Sequence, residues 1–443
     1  MKLSILVVAT ALFILICGFQ NPVFFFIGYL WTSMLYPSAF TTTFFPLSMT
    51  FGIAWVAGYF FIDKSKPGKL PLVFYFMIAF AVWVTFTTAT AVLSSAAWDK
   101  WNWAIQSTIL TLGTPLFLRT RAQIETAFIA TFTAFSAHVM TGGIKTFFGT
   151  GGYDRLGRLM MTNNWLGETS TLALVAIMSL PMAYYVIRHS VIFEPYRGRM
   201  LYLIFGCYTA TAISCVIGTS ARTGVVTLGA LLLFGIKGIF RKAAVIVAAI
   251  GVFYVMQPHL NGRSMSRFST IGTYQQDDSA TIRLAVWQWA ARYAAEHPFG
   301  GGFGIFATSS FTYQVKDTDG QMVTRQTRGG TAPHSVYFEV LGEHGYPGIF
   351  LYLAMIIGGL WGTWRISRMI SKEPEHAWVA PFGRVLLVCI MLYCVGASFV
   401  GIAFQPLVYV FLGFYCSLYR WVRSRHVTRP KFSAKPRVYE AAA

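Results

Sequence analysis

Long apolar runs separated by short basic loops dominate the chain. Runs long enough to cross a bilayer, at about 20 residues each, lie at roughly 71–95, 103–118, 122–141, 167–188, 200–219, 223–240, 243–257, 336–364, 379–397 and 404–419. Residues 3–62 hold three further apolar runs, two of them short and broken at Asn21-Pro22 and Tyr36-Pro37. Charge parity with a cytoplasmic N-terminus demands an even number of crossings there, so one short piece is expected not to span. The fold class that follows is an all-α polytopic membrane protein of about twelve transmembrane helices.

Two polar stretches interrupt this pattern on the side away from the basic loops, one from Gly142 to Gly167 and a longer one from Gln257 to His334. Within the second, residues 281–298 place Leu284, Trp287, Ala291 and Ala294 at helical spacing. That spacing predicts an amphipathic helix lying on the membrane. The organisation expected is a transmembrane bundle over 1–256, a periplasmic loop domain with amphipathic helices over 257–333, C-terminal transmembrane helices over 334–419 and a basic cytoplasmic tail over 420–443.

Composition agrees with the pattern. Hydrophobic residues make up 55% of the chain and charged residues only 12%, against about 25% charged in soluble domains. A net charge of +19 would point to nucleic acid in a soluble domain. Here the basic residues cluster at every second loop: Lys64, Lys66 and Lys69; Arg119 and Arg121; Arg188, Arg197 and Arg199; Lys237, Arg241 and Lys242; Arg365, Arg368 and Lys372. By the positive-inside rule those loops are cytoplasmic, and no aromatic-basic interleaving accompanies them, which argues against nucleic acid. No small-x-small exit follows the first apolar stretch, so a cleavable signal peptide is not expected. All six cysteines fall in apolar runs and read as small buried hydrophobes, without zinc spacing or a disulfide framework.

Against that background, basic residues on the other side stand out. Arg222 lies in Gly218-Thr219-Ser220-Ala221-Arg222-Thr223-Gly224, between two apolar runs. A guanidinium there is either a functional group or a snorkelling anchor, and positive-inside topology selects against the latter. Arg155 and Arg158 stand in the shorter polar stretch, with Asp154 able to neutralise one of them and Asn164 a little beyond, while Arg283 opens the amphipathic helix. Such a cluster, with few carboxylates to match it, is the chemistry of a phosphate site, since arginine's fork gives bidentate bonds to phosphate oxygens. Gly300-Gly301-Gly302-Phe303-Gly304 offers either a flexible loop or a phosphate nest. Asp277-Asp278 and Asp317-x-Asp319 lack histidine or cysteine companions, so no metal is expected.

His334 closes the long polar stretch at the mouth of an apolar run. An imidazole there can meet a lipid-borne substrate and a soluble-side acceptor, making it the first candidate for a general base. His259, His297 and His344 are its competitors. Tyr337 and Glu339 follow in what reads as the same helix, Tyr337 sharing a face with His334, and both are candidates for acceptor or supporting contacts together with Asn164. Glu343, deeper in the run, is expected to pair with a polar group inside the bundle.

The order of these motifs resembles the bacterial O-antigen ligase and O-antigen polymerase superfamily. The motifs are Ser220 to Gly224, Arg283 to Trp287, Pro298 to Gly302, and a histidine leading into Glu343-His344-Gly345. The Phe-Glu-Val-Leu-Gly-Glu-His-Gly run is also similar to exosortase-associated O-glycosylation ligases, and Ser335 departs from the asparagine that many relatives carry after the histidine. The resemblance implies a C-type glycosyltransferase-like architecture at the inner membrane, with an active site facing the periplasm and both termini cytoplasmic. It implies a glycan donor on undecaprenyl diphosphate, an acceptor hydroxyl on lipid A-core, membrane lipids as surroundings, and neither cofactor nor metal. His334 matches the base and Arg222 a diphosphate-binding arginine, with Arg158, Arg283 and Arg155 matching less closely. A polymerase or a protein O-oligosaccharyltransferase would share the donor site. A lipid-linked glycan transporter would need an internal repeat and a charged path across the membrane, which the sequence lacks.

Overall fold

A computed structural model describes residues 2–37, 47–61, 68–149, 165–256, 278–316, 321–370 and 373–425 of the 443. About 80% of the described residues are helical. Three helices open the chain, α1 (Lys2–Gln20), α2 (Val23–Leu35) and α3 (Leu47–Phe61). The breaks expected at Asn21-Pro22 and Tyr36-Pro37 end α1 and α2, with Tyr36 in a left-handed conformation at φ 51°. There follow α4 (Leu72–Ala89), α5 (Ser94–Phe117), α6 (Arg121–Phe147), α7 (Thr169–His189) and α8 (Arg199–Thr219). Next come α9 (Arg222–Ala230), α10 (Ile239–Met256), α11 (Asp278–Glu296), strands β1 (Ser310–Lys316) and β2 (Met322–Arg328), then α12 (Val336–Ser367), α13 (Val379–Gly396) and α14 (Pro406–Ser424).

Among the described residues, six segments are long and apolar enough to cross a membrane: α4, α6, α7, α8, α12, and Pro374–Phe399, which contains α13. Arg222–Gly235, expected within one longer span, is shorter, because α9 passes into a π-helical turn at Leu231–Gly235 and the chain turns at Gly238. The core is continuous through the bundle. Both α7 and α14 are buried nearly all round, and α7 is correspondingly apolar on every face rather than striped. Around α14 pack α5, α12 and α13.

The segment between α10 and α12 departs from the helices-only expectation. It contains an antiparallel hairpin in which Tyr313 pairs with Arg325, and α11 packs between that hairpin and α12. Val286, Ala290 and Ala294 are buried against protein, while Leu284 and Ala291, on the face expected to lie on a membrane, are exposed. Val286 and Ala290 join Ile305 and Phe306 in a small separate core, closed by Trp287, Trp289, Tyr293, Phe311 and Phe338.

Candidate active site

Several helix ends gather at one end of the bundle. Gly224, in the first turn of α9, packs on Ala173 near the start of α7. Gly396, at the end of α13, packs against both Leu174 of α7 and Thr227 of α9. The Tyr337 hydroxyl, in the first turn of α12, donates to the Cys394 carbonyl at 3.0 Å. The first turns of α7, α9 and α12 therefore lie together, bringing Glu168, Arg222 and His334 to the same end. The opposite end carries Arg121, Arg188, Arg197, Arg365 and Arg368.

His334 does not open α12. The helix begins at Val336 after Ser335, and His334 sits just outside it with φ 45°, a left-handed conformation uncommon for a residue with a Cβ. This overturns the helical-face argument for Tyr337, whose side chain instead ties α12 to α13. The strained backbone is held from the preceding residue. Trp287 Nε1 donates to the Pro333 carbonyl at 2.6 Å, and the same indole stacks on Phe338 with ring centres 5.0 Å apart. Arg283 lies one turn before Trp287 and so on the same side of α11, within its second turn rather than at its start. The His334 ring remains 41% exposed, with Nδ1 3.6 Å from Oε1 of Glu168, which precedes the first residue of α7. Strain in a half-exposed residue that the surroundings over-determine is characteristic of functional sites.

Behind His334, α12 is two helices joined at Gly345, whose φ of 65° and ψ of −163° no helix contains. A Cβ there would collide with the Pro298 carbonyl. The break, with Pro347 lacking an N–H, frees three carbonyls that a continuous helix would satisfy. Each finds a donor from elsewhere: Gly301 N to Gly342 O at 3.1 Å, Gly302 N to Glu343 O at 2.8 Å, and Trp83 Nε1 to His344 O at 2.8 Å. In return Tyr346 N donates to Pro298 O at 2.9 Å. The glycine run is thus a docking strip for the kink. Its amides at 301, 302 and 304 are engaged by α12, which removes them from a phosphate nest.

The expected partner of Glu343 is Lys100, in the second turn of α5. Its ammonium lies 2.9 Å from Glu343 and 2.8 Å from Glu339, and within about 5 Å of the Phe303 and Phe404 ring centres. The carboxylates take backbone donors as well, Gly304 N on Glu343 and Ala403 N on Glu339, each at 3.1 Å. Glu339 is therefore committed inside the bundle rather than presented to an acceptor. His344 is also structural in its contacts. Its Nδ1 meets the Thr87 hydroxyl at 2.6 Å, and that hydroxyl donates to α4 carbonyls, so it accepts from the imidazole.

Arg155, Arg158 and Asn164, like Asp277, Asp317, Asp319 and His259, lie outside the described residues. His297 stacks on Tyr293, with ring centres 4.3 Å apart. Among the described residues, one group the sequence reading did not single out brings potential metal ligands within 4.8 Å of one another: Glu373, Glu375 and His376, between α12 and α13 at the basic end. There both carboxylates lie against the imidazole, at 2.9 and 3.2 Å.

The segment carrying Arg222, Arg283, the glycine strip, His334 and the kink falls within residues 207–353, which fit the family described as O-antigen ligase. Over that segment the chain is similar to the O-antigen ligase superfamily. Residues 2–191 match a second family, described as a family of unknown function (DUF5935). No curated protein matches the chain. Lys100 and Glu168 come from this second segment, yet they meet Glu339, Glu343 and His334 of the ligase segment. The candidate site is built across both matched segments.

Proposed function

We propose that this chain is an O-antigen ligase. It transfers a glycan from undecaprenyl diphosphate to a sugar hydroxyl of lipid A-core, on the periplasmic face of the bacterial inner membrane. In this reading about twelve helices cross the bilayer, with both termini on the cytoplasmic side. The observation that carries it is His334: a half-exposed imidazole held in a strained backbone at the end of the bundle where Arg222 and the Arg283-bearing helix also lie.

His334 takes the proton of the acceptor hydroxyl. The acceptor oxygen bonds to the anomeric carbon as the bond from that carbon to the diphosphate oxygen breaks, and the diphosphate leaves with the electron pair. One displacement inverts the anomeric centre. A base in hydrogen-bond reach contributes about 10²–10⁴-fold. Arg222 and Arg283, with Arg158 and Arg155, hold the diphosphate, and fixed guanidinium groups stabilise its growing charge without reorganising. The broken diphosphate ester supplies the driving force, so the reading requires neither nucleotide nor metal.

The test is transfer by the purified protein in lipid nanodiscs containing lipid-linked glycan, with rough lipopolysaccharide or an acceptor protein added and ATP and metal withheld. Glycan appearing on the lipopolysaccharide supports the ligase. Lengthening on the lipid donor would instead make the protein a polymerase, and labelling of the acceptor protein an O-oligosaccharyltransferase. Absence of any transfer would sink all three.

A further inference from the structure

We propose that Glu168 is the positioning residue for His334, making the pair a carboxylate–imidazole dyad assembled from the two family segments. The proposal rests on the glycan-transfer reading above. Three observations carry it. Glu168 Oε1 is the carboxylate facing His334, and it faces Nδ1, at 3.6 Å. Glu168 stands at the cap position of α7, yet its side chain makes no capping hydrogen bond there, leaving the carboxylate available to its neighbour. His334 is fixed at its backbone by the Trp287–Pro333 bond and the left-handed φ, so its ring has few remaining freedoms except rotation about its own side-chain torsions.

A carboxylate at Nδ1 removes that freedom. It selects the tautomer with the proton on Nδ1, turns the Nε2 lone pair toward the acceptor, and stabilises the imidazolium that forms when Nε2 takes the proton. The separation is just beyond hydrogen-bond range with both side chains partly exposed, at 41% and 38%. Such contacts tighten when substrate fills a site and excludes water. Glu168 is the sole carboxylate within ion-pair distance of His334 among the described residues. It lies in the segment matched to a family of unknown function, so the dyad gives that segment a part in the chemistry.

The experiment is a double-variant cycle on the full-length protein in nanodiscs: wild type, Glu168→Gln, His334→Ala and the combination, with Glu168→Asp as the conservative variant. Glu168→Gln should lower kcat about 10–100-fold, the usual effect of losing a histidine's supporting carboxylate, with the donor KM little changed. In the His334→Ala background it should cost nothing more, because the group it acts through is gone. Glu168→Asp should recover part of the rate. An unchanged rate in Glu168→Gln, or losses that multiply in the combination, would overturn the dyad. So would a loss in Glu168→Gln larger than that of His334→Ala, which would make the carboxylate itself the base.

A readout independent of turnover is the ¹⁵N spectrum of histidine-labelled protein, with His334 assigned by difference against His334→Ala. The dyad predicts a proton on Nδ1 in wild type and its redistribution to Nε2 in Glu168→Gln. Identical spectra would refute the pairing. If wild type transfers no glycan, the functional reading fails while the spectrum still judges the dyad.

Discussion

Two carboxylates at opposite ends of the bundle serve their neighbours in different ways. Glu125, at the basic end, is fully buried and takes four donors between 2.7 and 3.0 Å: Arg121 Nε, the Tyr185 and Ser190 hydroxyls and the Val191 amide. They join α6, α7 and the loop before α8, and Arg121 closes the group by donating to the His189 carbonyl and lying over Trp378. Glu168, at the His334 end, is 38% exposed with one long contact to a strained histidine. A saturated acid cannot take another partner without losing one. An acid with vacant acceptor sites beside a movable imidazole can follow a proton. The Lys100 group stands between these extremes, buried and bonded like Glu125 but set directly beneath the helix that presents His334.

Breaking the saturated groups should cost stability first. Lys100→Met leaves two buried carboxylates unpaired and should destabilise by about 5 kcal/mol, the upper end for an orphaned buried charge. Thermal melting in detergent measures the loss. Because Glu343 also holds Gly304 and the kink, surviving protein should transfer glycan poorly. Glu125→Ala should cost about 3 kcal/mol by the same reasoning, yet the folded fraction should keep its turnover number. A large fall in turnover there would erase the contrast between the two ends.

Smaller changes sharpen it. Trp287→Phe keeps the stack on Phe338 but deletes the bond to Pro333, worth about 1 kcal/mol. Transfer should fall by about fivefold, the rate equivalent of that energy, with melting barely moved. Glu194→Gln removes the partly exposed pair with Arg197, 3.7 Å apart, and should change stability by less than about 1 kcal/mol. A larger shift would mean that the basic end depends on its surface charges.

Much of this was legible from the pattern of apolar residues. The run at 167–188 became Thr169–His189 and the amphipathic 281–298 became Asp278–Glu296, because helix periodicity is local. Which residues of that helix pack on protein was not legible, since a hairpin and α12 decide it. The start of α12 was misplaced because a left-handed His334 has no local signature. Glu343 was expected to find a polar partner, but Lys100 stands 243 positions away, and no spacing rule spans that distance. Glu168 was passed over for the same reason: its relation to His334 exists only once α7 and α12 pack.

The central claim is that His334 moves a proton while other groups hold the donor. Single-turnover transfer tests it most directly, with labelled lipid-linked glycan bound in advance to His334→Ala in nanodiscs and rough lipopolysaccharide then added. Donor binding should match wild type while the transfer step slows by about 10²–10⁴-fold. Transfer at the wild-type rate would contradict the base assignment, and so would loss of donor binding in proportion to loss of transfer.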